Sequence, residues 1–147
     1  MAYEGGGLAR IWSPDLTTRA GAEAAMDSAK FCFVIVAGFR AIVYGIAAFA
    51  GGLTAIEVGA VAPFVAAVIL FDVIVPLAAA WRLHLYKGAF MVPVATALYV
   101  LGILAALNIG GLIIGAIFTG VFVGGIRGAW ALRRGTGFED DHYATFS

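Results

Sequence analysis

The sequence predicts an all-α membrane protein: an antiparallel bundle of four transmembrane helices, preceded by an N-terminal helical extension at the cytoplasmic interface. Hydrophobic residues make up 63% of the 147-residue chain and charged residues only 12%. The mean hydropathy is +1.00, which is typical of a membrane-embedded chain rather than a soluble domain. In addition, the apolar residues divide into four segments, and the basic residues collect on one side of them.

The N-terminal residues 1–30 contain a helix-start signal at Ser13, Pro14 and Asp15. A hydroxyl group can cap free backbone N–H groups, proline suits the first helical position, and an acidic residue interacts favourably with the positive end of the helix dipole. No proline or glycine pair interrupts the chain between residues 16 and 50. We therefore expect one cytoplasmic lead-in helix that begins near Pro14 and continues directly into the first span.

Four apolar segments between residues 31 and 134 predict the transmembrane bundle. Their lengths approach the roughly 20 residues that a helix needs to cross the hydrocarbon core of a bilayer. The connections are short, which places consecutive helices side by side and antiparallel. Residues 135–147 then form an acidic and aromatic cytoplasmic tail. The predicted spans are about residues 31–50, 58–81, 88–107 and 112–126.

The distribution of lysine and arginine predicts the orientation of the bundle. Eight of the nine basic residues lie in the lead-in, in the connection between the second and third spans, and in the C-terminal segment, whereas the two opposite connections hold none. Because cytoplasmic flanks are enriched in Lys and Arg, we expect both termini in the cytoplasm, for a chain in a bacterial inner membrane. The eight residues are Arg10, Arg19, Lys30, Arg82, Lys87, Arg127, Arg133 and Arg134.

Two opposite charges lie at the same predicted depth in neighbouring spans. Arg40 is ten residues beyond Lys30, and Asp72 is ten residues before Arg82. At a rise of about 1.5 Å per residue, each charge lies roughly 15 Å from the cytoplasmic boundary, near the bilayer midplane. An unpaired charge there costs at least about 2.5 to 3.5 kcal/mol, so the two side chains are expected to meet. Tyr44, one helical turn from Arg40, is a candidate polar neighbour.

Pro76 adds a second polar feature to the same point. Proline cannot donate the backbone hydrogen bond that the Asp72 carbonyl would otherwise accept. A carboxylate beside a free carbonyl occurs at cation sites in transporters, although prolines in transmembrane helices often only kink them. The pair therefore has two interpretations: a structural ion pair that fixes the packing of the first two helices, or an ion, proton or substrate site. A proton relay needs further polar groups, for which the candidates are Thr96, Tyr99 and Thr119.

Glycines recur every four or five residues along the fourth span. Small residues at this spacing let helix backbones approach closely. The fourth helix and the segment after it are therefore expected to form the main docking surface, a groove for a helix of another subunit or a second copy, with packing inside the bundle as the alternative. Ala37, Ala41 and Gly45 form a similar stripe on the first span. Interfacial basic and aromatic residues beyond the fourth span are expected to anchor the headgroup region or to meet acidic residues of a neighbour. The glycines are Gly111, Gly115, Gly120, Gly124 and Gly128, and the interfacial residues are Arg127, Trp130, Arg133 and Arg134.

The residue types argue against several classes of function. Nine basic residues balance nine acidic ones, so no overall positive field attracts nucleic acid. His84 and His142 lie outside the predicted spans, which leaves the bundle without a pair of axial haem ligands. No serine lies in a span, and Cys32, the single cysteine, has no histidine at its depth to activate it. We expect no enzymatic activity, cofactor or metal.

These features predict a non-catalytic accessory or scaffolding subunit of a larger integral membrane complex, in contact with the lipid bilayer and with other membrane subunits or copies of itself. The alternative is a small oligomeric channel or transporter that uses Arg40 and Asp72. Small multidrug transporters have a similar number of spans, but they require a membrane-embedded glutamate in the first helix, where this chain has Arg40.

Overall fold

The computed structural model describes residue 14 and residues 16–50, 62–106 and 109–134. Within these ranges the chain is all-helical, apart from residues 14 and 16–18 and one turn at residues 85–90. Each helix has its main contacts with two others: the first helix contacts the second and the fourth, and the third helix also contacts the second and the fourth. The four helices are α1 (Arg19–Ala50), α2 (Ala62–His84), α3 (Met91–Ala106) and α4 (Ile109–Arg134).

The first helix begins later than the sequence predicts. Residues 13 and 15 of the predicted start signal lie outside the described residues, and Pro14, which is described, is not helical. The cap is instead Thr18, whose Oγ1 accepts a hydrogen bond of 3.0 Å from the backbone N–H of Gly21. This bond satisfies one of the donors that every helix leaves free in its first turn. From Arg19 onward, α1 continues without interruption into the first predicted span.

The other helix boundaries differ from the predicted spans by a few residues. The first predicted residues of the second span, 58–61, lie outside the described residues, and α2 continues three residues past Trp81 to His84. The third helix begins at Met91 because residues 88–90 belong to the preceding turn. The fourth helix extends beyond residues 112–126 at both ends. Hydropathy marks where apolar residues stop, whereas helical hydrogen bonding continues until the backbone is interrupted.

Three of the four helices are long and apolar enough to cross a membrane. The candidate segments are Arg19–Ala47, Ala67–His84 and Ile109–Arg134, whereas the fourth apolar segment, Met91–Ala105, is shorter. The 16 residues of α3 span roughly 24 Å at 1.5 Å per residue, less than the roughly 30 Å hydrocarbon core of a typical bilayer. The sequence predicts four full spans, and the third of them is shorter than expected.

The connection between α2 and α3 begins with a residue in a left-handed conformation. Tyr86 has a φ of 52°. Its N–H donates to the carbonyl of Leu83 at 2.9 Å, and the N–H of Lys87 donates to the carbonyl of Arg82 at 2.8 Å. These two bonds define a Schellman motif, which satisfies the free carbonyls at a helix C-terminus. Glycine usually occupies the left-handed position, because a side chain there is unfavourable.

The buried core lies toward the end of the helices that holds the α2–α3 connection. Its largest fully buried side chains are Phe33, Phe122, Met26, Leu83 and Val92. Phe33 of α1 stacks on Phe122 of α4, with ring centroids 3.9 Å apart and planes 7° from parallel. Direct contact of this kind buries apolar ring area between the two helices.

The opposite half of α1 is largely exposed. Between residues 38 and 49, the described side chains are exposed except for Arg40 and Tyr44, which are half-buried. The large apolar members include Phe39, at 67% exposed, and Phe49, at 92% exposed. Among the described residues, the outer half of α1 therefore has few contacts that hold its position.

Candidate functional site

The structure brings Arg40 of α1 and Asp72 of α2 together as an ion pair. The Nη1 of Arg40 donates to the Oδ1 of Asp72, and the two side chains are 19% and 29% exposed. Both residues are half-buried where α1 and α2 meet. In a membrane, this contact means that neither charge is left unpaired in hydrocarbon.

Tyr44 completes the coordination of the carboxylate. Its hydroxyl donates to the Oδ2 of Asp72 at 2.7 Å. Residues four apart on a helix lie on the same face, so α1 presents the guanidinium of Arg40 and the hydroxyl of Tyr44 to the same carboxylate. Each oxygen of Asp72 therefore has a donor from α1, and hydrogen bonds to a charged acceptor are stronger than bonds between neutral groups.

Pro76 affects the pair through the backbone. Proline is buried at this position of α2, and it has no N–H to donate to the carbonyl four residues earlier. The Nη1 of Arg40 lies 3.4 Å from that Asp72 carbonyl oxygen. The carbonyl that proline leaves free thus becomes a second acceptor for the same guanidinium, and it needs no bound cation to satisfy it.

The third helix closes the site on the far side of Arg40. The guanidinium carbon lies 5.5 Å from the ring centroid of Tyr99, within the distance at which a cation is attracted to an aromatic face. At Gly102, a Cβ would lie 3.3 Å from the Nη2 of Arg40. Glycine therefore leaves room for the guanidinium against α3. The sequence suggested Tyr99 only as a possible relay group, and it gave no signal for Gly102.

Two other relay candidates do not take part in the site. The Oγ1 of Thr96 donates to the carbonyl of Val92 at 2.8 Å. The Oγ1 of Thr119 donates to the carbonyl of Gly115 at 2.7 Å. Hydroxyl groups bonded back to their own helix are satisfied locally, so neither threonine extends the polar group around Asp72.

The glycines of α4 pack inside the chain. Gly115, Gly120, Gly124 and Gly128 are buried, as is their neighbour Gly125. A Cβ at Gly115 would collide with Ile103 of α3, one at Gly125 with Ala29 of α1, and one at Gly128 would lie 2.6 Å from the carbonyl oxygen of Ala22.

This arrangement corrects the prediction that the α4 glycine stripe forms a groove for a foreign helix. The chain's own α1 and α3 already occupy that groove. The first glycine of the stripe, Gly111, is half-buried. The spacing indicated a close helix approach, but it did not identify the helix that approaches.

The interfacial group at the end of α4 contacts the α2–α3 connection. The Nε1 of Trp130 donates to the carbonyl of Ala89 at 2.9 Å, and the guanidinium carbon of Arg133 lies 4.9 Å from the ring centroid of Phe90. Arg127 and Arg134 are exposed on the same helix end. This end of α4 is therefore fixed to the neighbouring connection by one hydrogen bond and one cation–π contact.

The described ranges hold no set of three or more His, Cys, Asp or Glu side chains placed to bind a metal ion. In comparisons with known proteins, no family model, no curated protein and no solved structure matches this chain. The function must therefore be argued from the site and from the surfaces of the helices.

Proposed function

We propose that this chain is a non-catalytic accessory or scaffolding subunit of a larger integral membrane complex. We place it in a bacterial inner membrane as an antiparallel four-helix bundle with both termini in the cytoplasm. The support for this placement is three helices long and apolar enough to cross a bilayer and a strong bias of basic residues to one side. The shorter α3 requires local thinning of the bilayer, which has a modest cost.

The orientation predicts the position of tags. A reporter fused at residue 1 or residue 147 should lie in the cytoplasm, and one inserted near Gly52 should lie on the opposite side, because the basic residues flank only one side of the spans. The measurement is the activity of paired reporters that function in only one compartment. A terminal tag that is accessible from outside intact cells would overturn the orientation.

The observation that most supports a scaffolding role is the outer half of α1. The stripe that the sequence predicts on α1 changes by one residue, because Ala37 is buried within the chain. Gly38, Ala41 and Gly45 are exposed there, and a Cβ added at Gly38 or Gly45 would meet no atom within 4 Å. At 100° per residue, these three positions share one face of the helix. Arg40 and Tyr44 lie on a different face, toward α2. Within the described residues, no other helix of the chain covers this stripe, unlike the glycine stripe of α4.

A face of small residues is suited to the close approach of another helix. Lipid removes the hydrophobic drive between helices, so association depends on close van der Waals packing, which small residues allow. The ion pair of Arg40 with Asp72 fixes the other side of α1 against α2. We propose that the pair holds the outer half of α1 in place while the small-residue face receives a helix of the partner subunit or of a second copy.

This proposal predicts that bulky side chains on the exposed stripe release the partner. Gly38→Leu combined with Gly45→Leu should abolish co-purification of the companion protein in mild detergent, because leucine blocks the close approach. Both sites have open space around them, so the chain itself should remain folded. The measurements are mass spectrometry of the co-purified proteins and the melting temperature of the purified chain.

The matched control places leucines on exposed positions of other helices. Ala97 of α3 and Ala116 of α4 are both exposed, so Ala97→Leu with Ala116→Leu adds similar bulk away from the α1 stripe and should retain the companion. Differently tagged copies expressed together show whether that companion is a second copy. Retention of every companion by the Gly38→Leu, Gly45→Leu chain would exclude this stripe as the docking face.

The alternative function is a small channel or transporter centred on Arg40 and Asp72. One observation argues against a channel or transporter. Both carboxylate oxygens of Asp72 and its backbone carbonyl already accept hydrogen bonds from α1, so these acceptors are satisfied without an ion or substrate. A transporter requires a water-accessible path to Asp72. With Cys32 replaced by serine, a Tyr44→Cys chain would react with a membrane-impermeant thiol reagent if such a path exists, and we expect no reaction.

A further inference from the structure

A cavity of about 620 Å³ lies at the end of the helices that holds the α2–α3 connection. It is open on one side, and the start of α1, the end of α2, the connection, the start of α3 and the end of α4 line it. Four basic side chains and one carboxylate line it: Arg19, Arg82, Lys87, Arg133 and Glu23. We call this the basic cavity.

Among the described residues, basic side chains outnumber carboxylates in the basic cavity. Glu23 accepts a hydrogen bond from the Nε of Arg19 at 3.1 Å, so one of the four cations has a carboxylate partner. Neither Arg82 nor Lys87 forms an ion pair with any carboxylate of the described residues. Several basic side chains that line one space with few carboxylates among the described residues make a suitable site for an anion, and arginine and lysine are the usual ligands of phosphate groups.

A strained residue lies on the wall of the same cavity. Tyr86 lines it and has a φ of 52°, where glycine would be less strained. A tyrosine at this position therefore destabilises the backbone of the connection relative to glycine, and its side chain lines the cavity. An interfacial tyrosine offers a hydroxyl to a polar group and an apolar ring to a chain beside it.

An apolar groove of about 680 Å³ adjoins the basic cavity. Arg82 and Met91 line both spaces. The groove runs from that junction along α2 to Ile74, with Val34 of α1 on its other side. Eight residues of α2 separate Arg82 from Ile74, so the groove is roughly 12 Å long at 1.5 Å per residue.

We propose that the basic cavity binds the phosphate of an anionic phospholipid and that one acyl chain of this lipid lies in the apolar groove. Charge complementarity selects the headgroup, and the shared wall at Arg82 and Met91 connects the phosphate position to the acyl chain. A free phosphate would satisfy the cations but would leave the groove unused. This inference rests on the membrane placement proposed above.

The test uses the full chain purified in detergent and incubated with equal amounts of phosphatidylglycerol and phosphatidylcholine. Native mass spectrometry counts the bound lipid. The wild-type chain should retain phosphatidylglycerol in preference to phosphatidylcholine. Arg82→Ala with Lys87→Ala should weaken binding of phosphatidylglycerol about 25-fold, since each basic residue near an anionic lipid surface strengthens binding roughly fivefold. The control, Arg127→Ala with Arg134→Ala, removes the same charge from α4 outside the cavity. It should weaken binding much less than the cavity variant does and should keep the preference for phosphatidylglycerol.

Two further arms distinguish a lipid from a free anion. Ala78 lines the groove, so Ala78→Trp should weaken binding of long-chain phosphatidylglycerol and leave a dihexanoyl analogue unaffected. Inorganic phosphate alone should bind the wild type much more weakly than the lipid does. Equal retention of both lipids by the wild type, or equal binding of inorganic phosphate and lipid, would overturn the proposal. The membrane placement is tested separately by fractionating the cells that express the chain and measuring whether the chain is in the membrane fraction. A chain found in the membrane that lacks lipid preference contradicts the lipid site alone.

Discussion

Asp72→Leu is expected to destabilise the folded chain by about 3 to 5 kcal/mol, the usual cost of removing one partner from a buried ion pair. The substitution leaves the guanidinium of Arg40 without its carboxylate and the Tyr44 hydroxyl without its acceptor. Arginine cannot lose its proton in a protein, so the charge persists in an apolar environment. The measurements are the folded yield from membranes and the melting temperature in detergent.

Arg40→Leu should be less damaging than Asp72→Leu, although it breaks the same ion pair. The remaining carboxyl group keeps the hydrogen bond from Tyr44, and a carboxyl group can take up a proton and become neutral. The double variant, Arg40→Leu with Asp72→Leu, should recover much of the loss, because replacing both charges of a buried pair with apolar residues is often neutral.

Tyr44→Phe serves as the matched control for these variants. It removes the hydroxyl that reaches Asp72 and leaves the ion pair itself in place, so its expected cost is only about 1.5 to 3 kcal/mol. If both single leucine variants are as stable as the wild type, the ion pair does not fix α1 against α2. If the double variant is as unstable as the sum of the single variants, the two charges do not act as a pair.

Much of the charged site could be predicted from the sequence, because the position of a residue along a helix and the cost of an unpaired charge can both be worked out from the sequence. Depth follows from counting residues along a helix, and the cost of an unpaired charge in hydrocarbon requires a partner at the same depth. These two arguments lead to Arg40 and Asp72, and the four-residue helical spacing leads to Tyr44. Pro76 indicates from the sequence that the Asp72 carbonyl lacks its helical donor. That Arg40 donates to this carbonyl follows only from the three-dimensional position of the guanidinium.

What the sequence did not predict depends on contacts between distant segments. Gly102 leaves room for Arg40 because the long side chain of Arg40 extends from α1 to the surface of α3, and no sequence pattern predicts that contact. The α4 glycine spacing resembled a docking groove, yet α1 and α3 fill it. The start of α1 was misplaced for a different reason: Ser13 and Thr18 can both cap a helix, and composition does not choose between them.

The same close packing leads to the second large expected effect. Gly128→Ala should destabilise the chain, because the new Cβ would lie 2.6 Å from the carbonyl oxygen of Ala22 and 3.2 Å from Cγ of Met26. The backbone oxygen cannot move aside as a flexible side chain can, so α4 must shift away from α1. Overpacking of this kind costs about 1 to 3 kcal/mol, which exceeds the roughly 0.5 to 1 kcal/mol by which alanine favours a helix over glycine.

Gly38→Ala is the matched control. A Cβ at Gly38 of α1 meets no atom within 4 Å, so the variant should be as stable as the wild type or slightly more stable. Thermal unfolding of the two variants in detergent should therefore shift the melting temperature in opposite directions, or shift it for Gly128→Ala alone. Equal melting temperatures would mean that α4 does not lie against α1 at Gly128. A fall at Gly38 as large as that at Gly128 would mean that the exposed stripe of α1 is already covered, which a tightly bound second copy would explain.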